Sequence, residues 1–243
     1  MKTGMEKSFR QGGTIPVQVD AEKTRAVRGK LLFWYERNGR DYPWRRTVDP
    51  YRILIAEIML QRTKADQVAP VYGEFIRRFP DPYSLHKADP EVIRSYFSKL
   101  GLMWRADLII RFAAKLVERF GGKIPPDRDQ LLSLPAVGDY IADAVLSFAY
   151  GRDVAVVDSN VCRVLRRVFG LKPRGEARRD RRFRELAQML VPPGKSREFN
   201  WAMIDFASAV CTPRNPKCDE CPLRENCLHA HLGSECRNTG SSQ

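Results

Sequence analysis

The chain lacks any run of about 18 consecutive apolar residues, the length a membrane-spanning helix needs. Met1 to Val19 holds Lys2, Lys7 and Arg10 but no apolar stretch of the kind a secretory leader carries. Strand patterning is nearly absent too. Only Val154 to Val157 reads that way, and four residues after a Gly-Arg-Asp turn are too few to build a sheet. No internal repeat of about 20 to 50 residues is visible, which excludes solenoids and propellers. Negative charge is in short supply: 29 Asp and Glu stand against 42 Lys and Arg in 243 residues, a net charge of +13. An excess of that size suits a polyanionic partner, because each basic contact releases counterions from phosphate. With no leader, the chain is expected in a reducing cytoplasm, nucleoid-associated, where its six cysteines read as metal ligands before disulfides.

What is present is helical. Hydrophobic residues make up 43 % of the chain, enough for a sizeable core in one or two domains. Apolar spacing predicts helices at Ala21 to Arg37, Arg52 to Thr63, Ala65 to Phe79, Pro90 to Lys99, Trp104 to Phe120, Arg128 to Ser133, Gly138 to Tyr150, Ser159 to Phe169, Arg179 to Leu190 and Phe199 to Val210. Breakers separate them, among them Pro80-Asp81-Pro82, Gly121-Gly122 and Pro192-Pro193-Gly194. The fold class is all-α. Residues 1–20 and 231–243 are polar and uncapped and are expected to be flexible.

Four cysteines carry the densest signal. Cys211, Cys218, Cys221 and Cys227 follow a C-x6-C-x2-C-x5-C spacing inside seventeen residues. Thiolates so close converge on a metal or an iron–sulfur cluster, and spacing alone leaves both open. The first loop between them holds Arg214 and Lys217, which suit a phosphate backbone as well as they suit solvent. Cys162 is expected to pack in a helix, and Cys236 lies in the polar tail.

Two carboxylates stand out. Glu57 lies on a helix among Ile53, Leu54 and Leu60, with Gln61 one turn on, so it faces an apolar stripe. Burial there raises a carboxyl pKa, which suits a general acid or a water-holding group; a buried Glu paired with an Arg is the alternative. Asp158 ends an apolar run and precedes a helix. It reads as an N-cap, or as an anion held at a helix N-terminus where it would stabilise a cationic sugar. Between them, Leu134-Pro-Ala-Val-Gly138 links two helices by a tight turn, and the free amides of the second helix can bind a phosphate. Leu102, Met103 and Trp104 after Gly101 form an apolar tip that could wedge between bases or pack in the core. Lys172 and the arginines from Arg174 to Arg184 track a phosphate backbone or form a solvated face diluted by Glu176, Asp180 and Glu185.

In this order the pieces resemble the helix–hairpin–helix DNA glycosylases related to endonuclease III and MutY, from about Leu31 to Cys227. Pro43-Trp44-Arg45, Asp49-Pro50-Tyr51 and Glu57 to Thr63 look like the MutY branch. Leu134 to Val145 looks like the hairpin, and Val157 to Val161 like the segment holding the family's catalytic Asp. The cysteine spacing looks like the family's four-iron, four-sulfur clip, and the resemblance, not the spacing, favours that cluster over zinc. The implied architecture is two-lobed: a six-helix barrel domain over 50–150, with the hairpin at 130–150, and an iron–sulfur domain built from 21–49 and 151–230.

The position two residues after the hairpin glycine divides the family's chemistry, and Tyr140 occupies it. Lyase relatives carry a Lys there, which forms a Schiff base; Tyr cannot. Tyr140, together with Phe33-Trp34, Arg40 to Arg45 and Val191 to Lys195, resembles the Mig-type thymine/uracil mismatch glycosylases. The chain also stops sixteen residues after Cys227, leaving no room for MutY's oxidised-guanine-sensing domain. The resemblance implies a monofunctional enzyme acting as a monomer on mismatched or damaged duplex DNA. Glu57, Asp158 and Tyr140 would serve catalysis. Gln61, Arg62, Leu102, Met103, Val137, Gly138, Arg214 and Lys217 would contact DNA. A short adenine glycosylase, a lyase and a non-enzymatic binder of distorted DNA are the alternatives. Ala136 departs from the usual Leu-Pro-Gly-Val-Gly hairpin and brings a Cβ where glycine gives freedom at positive φ.

Overall fold

The computed structural model describes residues 20–101 and 103–231; the two tails, Leu102 and Cys236 lie outside the described residues. Eleven α-helices and three short 3₁₀ turns are described, and no strand. The helices are α1 Ala21–Asn38, α2 Pro50–Leu60, α3 Ala65–Arg78, α4 Pro82–His86, α5 Pro90–Ser98, α6 Met103–Phe120, α7 Arg128–Leu132, α8 Asp139–Phe148, α9 Ser159–Phe169, α10 Arg181–Leu190 and α11 Ser196–Ala209. None is long and apolar enough to cross a membrane.

The apolar spacing locates ten of these helices and misses α4. Pro80-Asp81-Pro82 reads as a breaker but acts as a helix start. Asp81 accepts from the Ser84 amide, Ser84 answers in a capping box, and Pro82 takes the first turn, where a missing N–H costs nothing. Asp49 and Pro50 open α2 in the same way. At its far end α2 stops at Leu60, so Gln61, Arg62 and Thr63 lie in a turn, not on the predicted helix. Arg62 there has φ 59°, a left-handed conformation that breaks helical continuation.

Side chains pack into two separate cores. One gathers α2 to α8 with Tyr42 and Trp44, and Trp201 of α11 reaches into it. The other gathers Val27 and Leu31 of α1 with α9, α10, α11, Cys211 and Cys227. The chain passes between them through Val154 to Val157, the strand-like run. It pairs with side chains instead of a strand. Asn200, on α11, donates to the Val154 carbonyl at 2.8 Å and accepts from the Val156 amide at 3.0 Å. Gln188 accepts from the Ala155 amide at 3.0 Å. Ser147 and Ser196 complete a buried network with Asn200. Satisfied in this way, extended backbone can be buried without a sheet. The linker is thereby fixed just before Asp158.

Candidate active site

α2 is buried all round rather than along a stripe: Tyr51 and every residue from Ile53 to Met59 are enclosed. Glu57 is 4 % exposed. The Tyr140 hydroxyl, from the first turn of α8, donates to its carboxyl. Its Oε2 is buried without a hydrogen-bond partner among the described residues. Burial pushes the Glu57 pKa up to about 7, against the opposing pull of the Tyr140 hydrogen bond and the Arg45 charge, while the Asp158 charge adds to the rise. Tyr140 is raised well above the ordinary phenol range by burial and by the charges of Glu57 and Asp158, so it stays a neutral donor. Residues far apart in the chain therefore meet at one centre, contributed by the 43–45 turn, α2, α8 and the start of α9.

Asp158 is the N-cap that the sequence suggested. It caps α9, with Oδ1 accepting from the Val161 amide at 2.7 Å, and its charge raises the pKa of both Glu57 and Tyr140. Oδ2 accepts from Asn160 Nδ2 at 2.7 Å. Asn160 Oδ1 in turn accepts from Arg163 Nη1 at 2.9 Å, and Arg163 donates to the carbonyls of Cys211 and Ala207, each at 2.8 Å. The carboxylate is thus held rigidly at the positive end of a helix.

Sequence reasoning missed the ion cluster beside this centre. Asp205 on α11 is 1 % exposed and accepts hydrogen bonds from Arg40 and Arg45, with Arg45 Nη1 to Oδ2 at 2.7 Å and Arg40 Nε to Oδ1 at 2.8 Å. Burial works to raise the Asp205 pKa, but the bonds and charges of the two arginines hold it below the usual carboxylate range. Glu57 takes part in no ion pair among the described residues, so the paired-Glu reading does not describe it; Arg45 is paired to Asp205 and influences Glu57 only through its charge. The signal was available. Asp205 interrupts Met203-Ile-Asp-Phe206 just as Glu57 interrupts its own helix.

The hairpin forms as spacing implies. Ala136 does take φ 66°, the left-handed geometry, despite its Cβ. Val137 buries its side chain and gives its amide to the Leu134 carbonyl at 3.3 Å, so the exposed Gly138 and the first amides of α8 are what the hairpin turns outward. α8 has no side-chain cap, while Asp139 in its first turn is paired with Arg128 and Arg184. Gln61 is half-buried and Arg62 exposed at the end of α2; Met103 and Trp104 are 52 % and 54 % exposed at the start of α6. Arg214 and Lys217 are exposed in the cysteine loop. The arginine run is a largely ion-paired face: Arg178 and Arg179 meet Glu176, Arg181 meets Glu185, and Arg182 meets Asp180.

The four cysteines line one pocket together with Arg167, Phe206 and Lys217. Four thiols around a shared space suit a metal ion or an iron–sulfur cluster. Arg167 donates to Cys211 Sγ at 3.3 Å and to the Thr212 carbonyl at 2.7 Å, placing positive charge beside thiolate ligands.

The raised Glu57 pKa has a stability consequence. Its native carboxyl holds a proton more tightly than the ordinary value of 4.5, so this group weakens the fold as pH rises from about 4.5 to about 7. Glu57→Gln should therefore gain roughly 1–3 kcal/mol of unfolding free energy at pH 8.5 and nothing at pH 4.5, measured by urea denaturation. An equal effect at both pH values would contradict the assignment.

Residues 55–193 match the HhH-GPD superfamily of base excision DNA repair proteins, and residues 211–227 match the iron–sulfur binding domain of endonuclease III. A thymine/uracil-DNA glycosylase of Pyrobaculum aerophilum is 43 % identical over 219 residues, spanning 87 % of this chain and 93 % of that protein. A thymine-DNA glycosylase of Aeropyrum pernix is 40 % identical, spanning 87 % and 97 %. The human adenine DNA glycosylase is 35 % identical over 86 % of this chain but only 40 % of its own length. A solved thermostable thymine-DNA glycosylase superposes with a TM-score of 0.83 at 35 % identity, over 87 % of this chain and 98 % of that one. The chain belongs to the HhH-GPD superfamily of base excision DNA repair proteins and carries the iron–sulfur binding domain of endonuclease III.

Proposed function

We propose that the protein is a monofunctional DNA glycosylase that hydrolyses the N-glycosidic bond of thymine or uracil mispaired with guanine. The observation that carries this reading is the meeting of the buried Glu57 with the partly buried Tyr140 and Asp158 at one centre. The resemblance to thymine/uracil glycosylases at 43 % and 40 % identity supports the substrate class.

In this reading a mispaired pyrimidine swings out between the two cores, which we take as the barrel domain over 50–150 and the iron–sulfur domain of 21–49 with 151–230. A wobble pair opens at less cost than a matched one, and that supplies part of the selectivity. The C1′–N1 bond breaks, the base leaves with the electron pair, and Asp158 stabilises the oxocarbenium-like sugar. Water adds to C1′ and gives up its proton; Glu57, with a pKa near 7, orients that water and can accept the proton. Tyr140 holds Glu57 in place and packs against the everted nucleotide. It offers no amine, so no Schiff base forms and the strand stays uncut. Gly138, with Val137 behind it, grips the backbone. Gln61, Arg62, Met103 and Leu102 fill the gap and meet the orphaned guanine, and Arg214 and Lys217 follow phosphates. The protein acts as a monomer on duplex DNA.

We further propose a four-iron, four-sulfur cluster, which the thiolates of Cys211, Cys218, Cys221 and Cys227 would hold. Bound there, the cluster supplies a structural clip for the 211–227 loop.

The test of function is release of base from duplexes carrying G·T, G·U or adenine opposite oxidised guanine. Thymine and uracil should be released without a borohydride-trapped adduct, and Asp158→Asn should slow release by at least about 100-fold. Exclusive adenine release, a trapped adduct, or an unimpaired Asp158→Asn variant would each reject the reading. For the cofactor, purified protein should be brown, absorb near about 400 nm and hold about four irons per chain. Colourless protein with one zinc would overturn it.

A further inference from the structure

Arg105 is the largest fully buried side chain in the described residues, 1 % exposed at the start of α6, and it has no carboxylate partner among them. Its guanidinium reaches across to the end of α2. Nη1 donates to the carbonyls of Ile58 at 3.1 Å and Met59 at 3.4 Å, and Nη2 donates to the carbonyl of Gln61. Its Nε is buried and unpartnered, and the exposed Trp104 ring centroid lies 5.1 Å from the Arg105 Cζ. The next residue after Gln61 is Arg62, held at φ 59°.

This arrangement is expensive twice over. A non-glycine residue in left-handed geometry is strained, and a buried cation with no counter-ion costs more. The chain has the cheaper solution elsewhere: α9 ends on Gly170 at φ 73°. Glycine at 62 with an apolar residue at 105 would end α2 without strain. Unrelieved strain of this kind marks functional positions. Arg62 also feels the buried charge. Burial and the Arg62 charge push Arg105 down to about 10, which leaves it cationic at neutral pH. Like charges repel, and of the two only Arg62 is exposed to solvent.

We propose that Arg105 is a positioning residue for recognition of the opposite strand: through the Gln61 carbonyl it fixes the turn that carries Arg62, and as a buried like charge it directs the Arg62 guanidinium toward the orphaned guanine. The inference rests on the reading above that Gln61 and Arg62 meet that base. It joins the 61–63 turn to Trp104 at the start of α6 through one side chain that touches neither DNA nor the reacting sugar.

The experiment uses full-length protein and single-turnover rates of uracil release opposite guanine, opposite adenine and from single-stranded DNA. Arg105→Lys keeps the charge but cannot span three carbonyls with a rigid fork. It should lower the guanine-over-adenine rate ratio at least tenfold and leave the single-stranded rate within twofold. Native trypsin cleavage at Arg62–Thr63 should quicken at least fivefold relative to other sites. Arg62→Gly removes the strain and so must fold; with Arg105 intact, it should lose the same tenfold preference. A preference retained by folded Arg105→Lys or by Arg62→Gly overturns the proposal, as does an equal loss on single-stranded and duplex substrates. A wild-type protein without guanine preference removes the underlying reading, and the proposal with it.

Discussion

An acid enclosed by a helix that is buried on every side is the constraint the site obeys. Water cannot reach the Glu57 carboxyl freely, so its charge state is set by the few groups around it. Tyr140 supplies a hydrogen bond, Arg45 a compensating charge, and Asp158 an opposing one. Each comes from a different element, so the acid is tuned only when the two cores are packed together. Arg45 in turn is held by Asp205, whose helix α11 contributes Trp201 to one core and Phe206 to the other. Asp205 thus ties the chemistry to the packing of the molecule.

α9 shows how the fold uses one element for two purposes. Its N-cap is Asp158, and its next turns present Arg163 and Arg167. Arg163 reaches back through Asn160 to Asp158 and forward to the Cys211 carbonyl. Arg167 holds the carbonyls of Thr212 and Pro213. The iron–sulfur binding loop and the Asp158 carboxylate are therefore built on a single rigid support. The buried Asn200 network fixes the approach to that support from the other side.

Much of this was legible because local chemistry and global fold agree. Glu57 and Asp158 stand out by violating apolar patterns, and the cysteines by their spacing. α4 was hidden because Pro80-Asp81-Pro82 punctuates a chain in the same letters that cap a helix. The end of α2 was overrun because its stop signal is Arg105, far along the sequence, and no local glycine announces it. Arg45 and Asp205 lie 160 residues apart, and pairing at that distance leaves no periodic trace. Ala136 was readable as a departure, but its left-handed φ follows from hairpin closure, which only the packed structure imposes. What escaped the sequence is long-range pairing of polar groups; what it displayed is apolar rhythm and the residues that interrupt it.

The account stands on the environment of one carboxyl group. A carbon-13 NMR titration of the Glu57 side-chain carboxyl, in wild-type protein and in Asp158→Asn, observes it directly. A midpoint near 7 is predicted for the wild type, moving lower when the Asp158 charge is removed. A midpoint at the ordinary 4.5, unmoved by Asp158→Asn, would contradict the existence of a coupled buried centre.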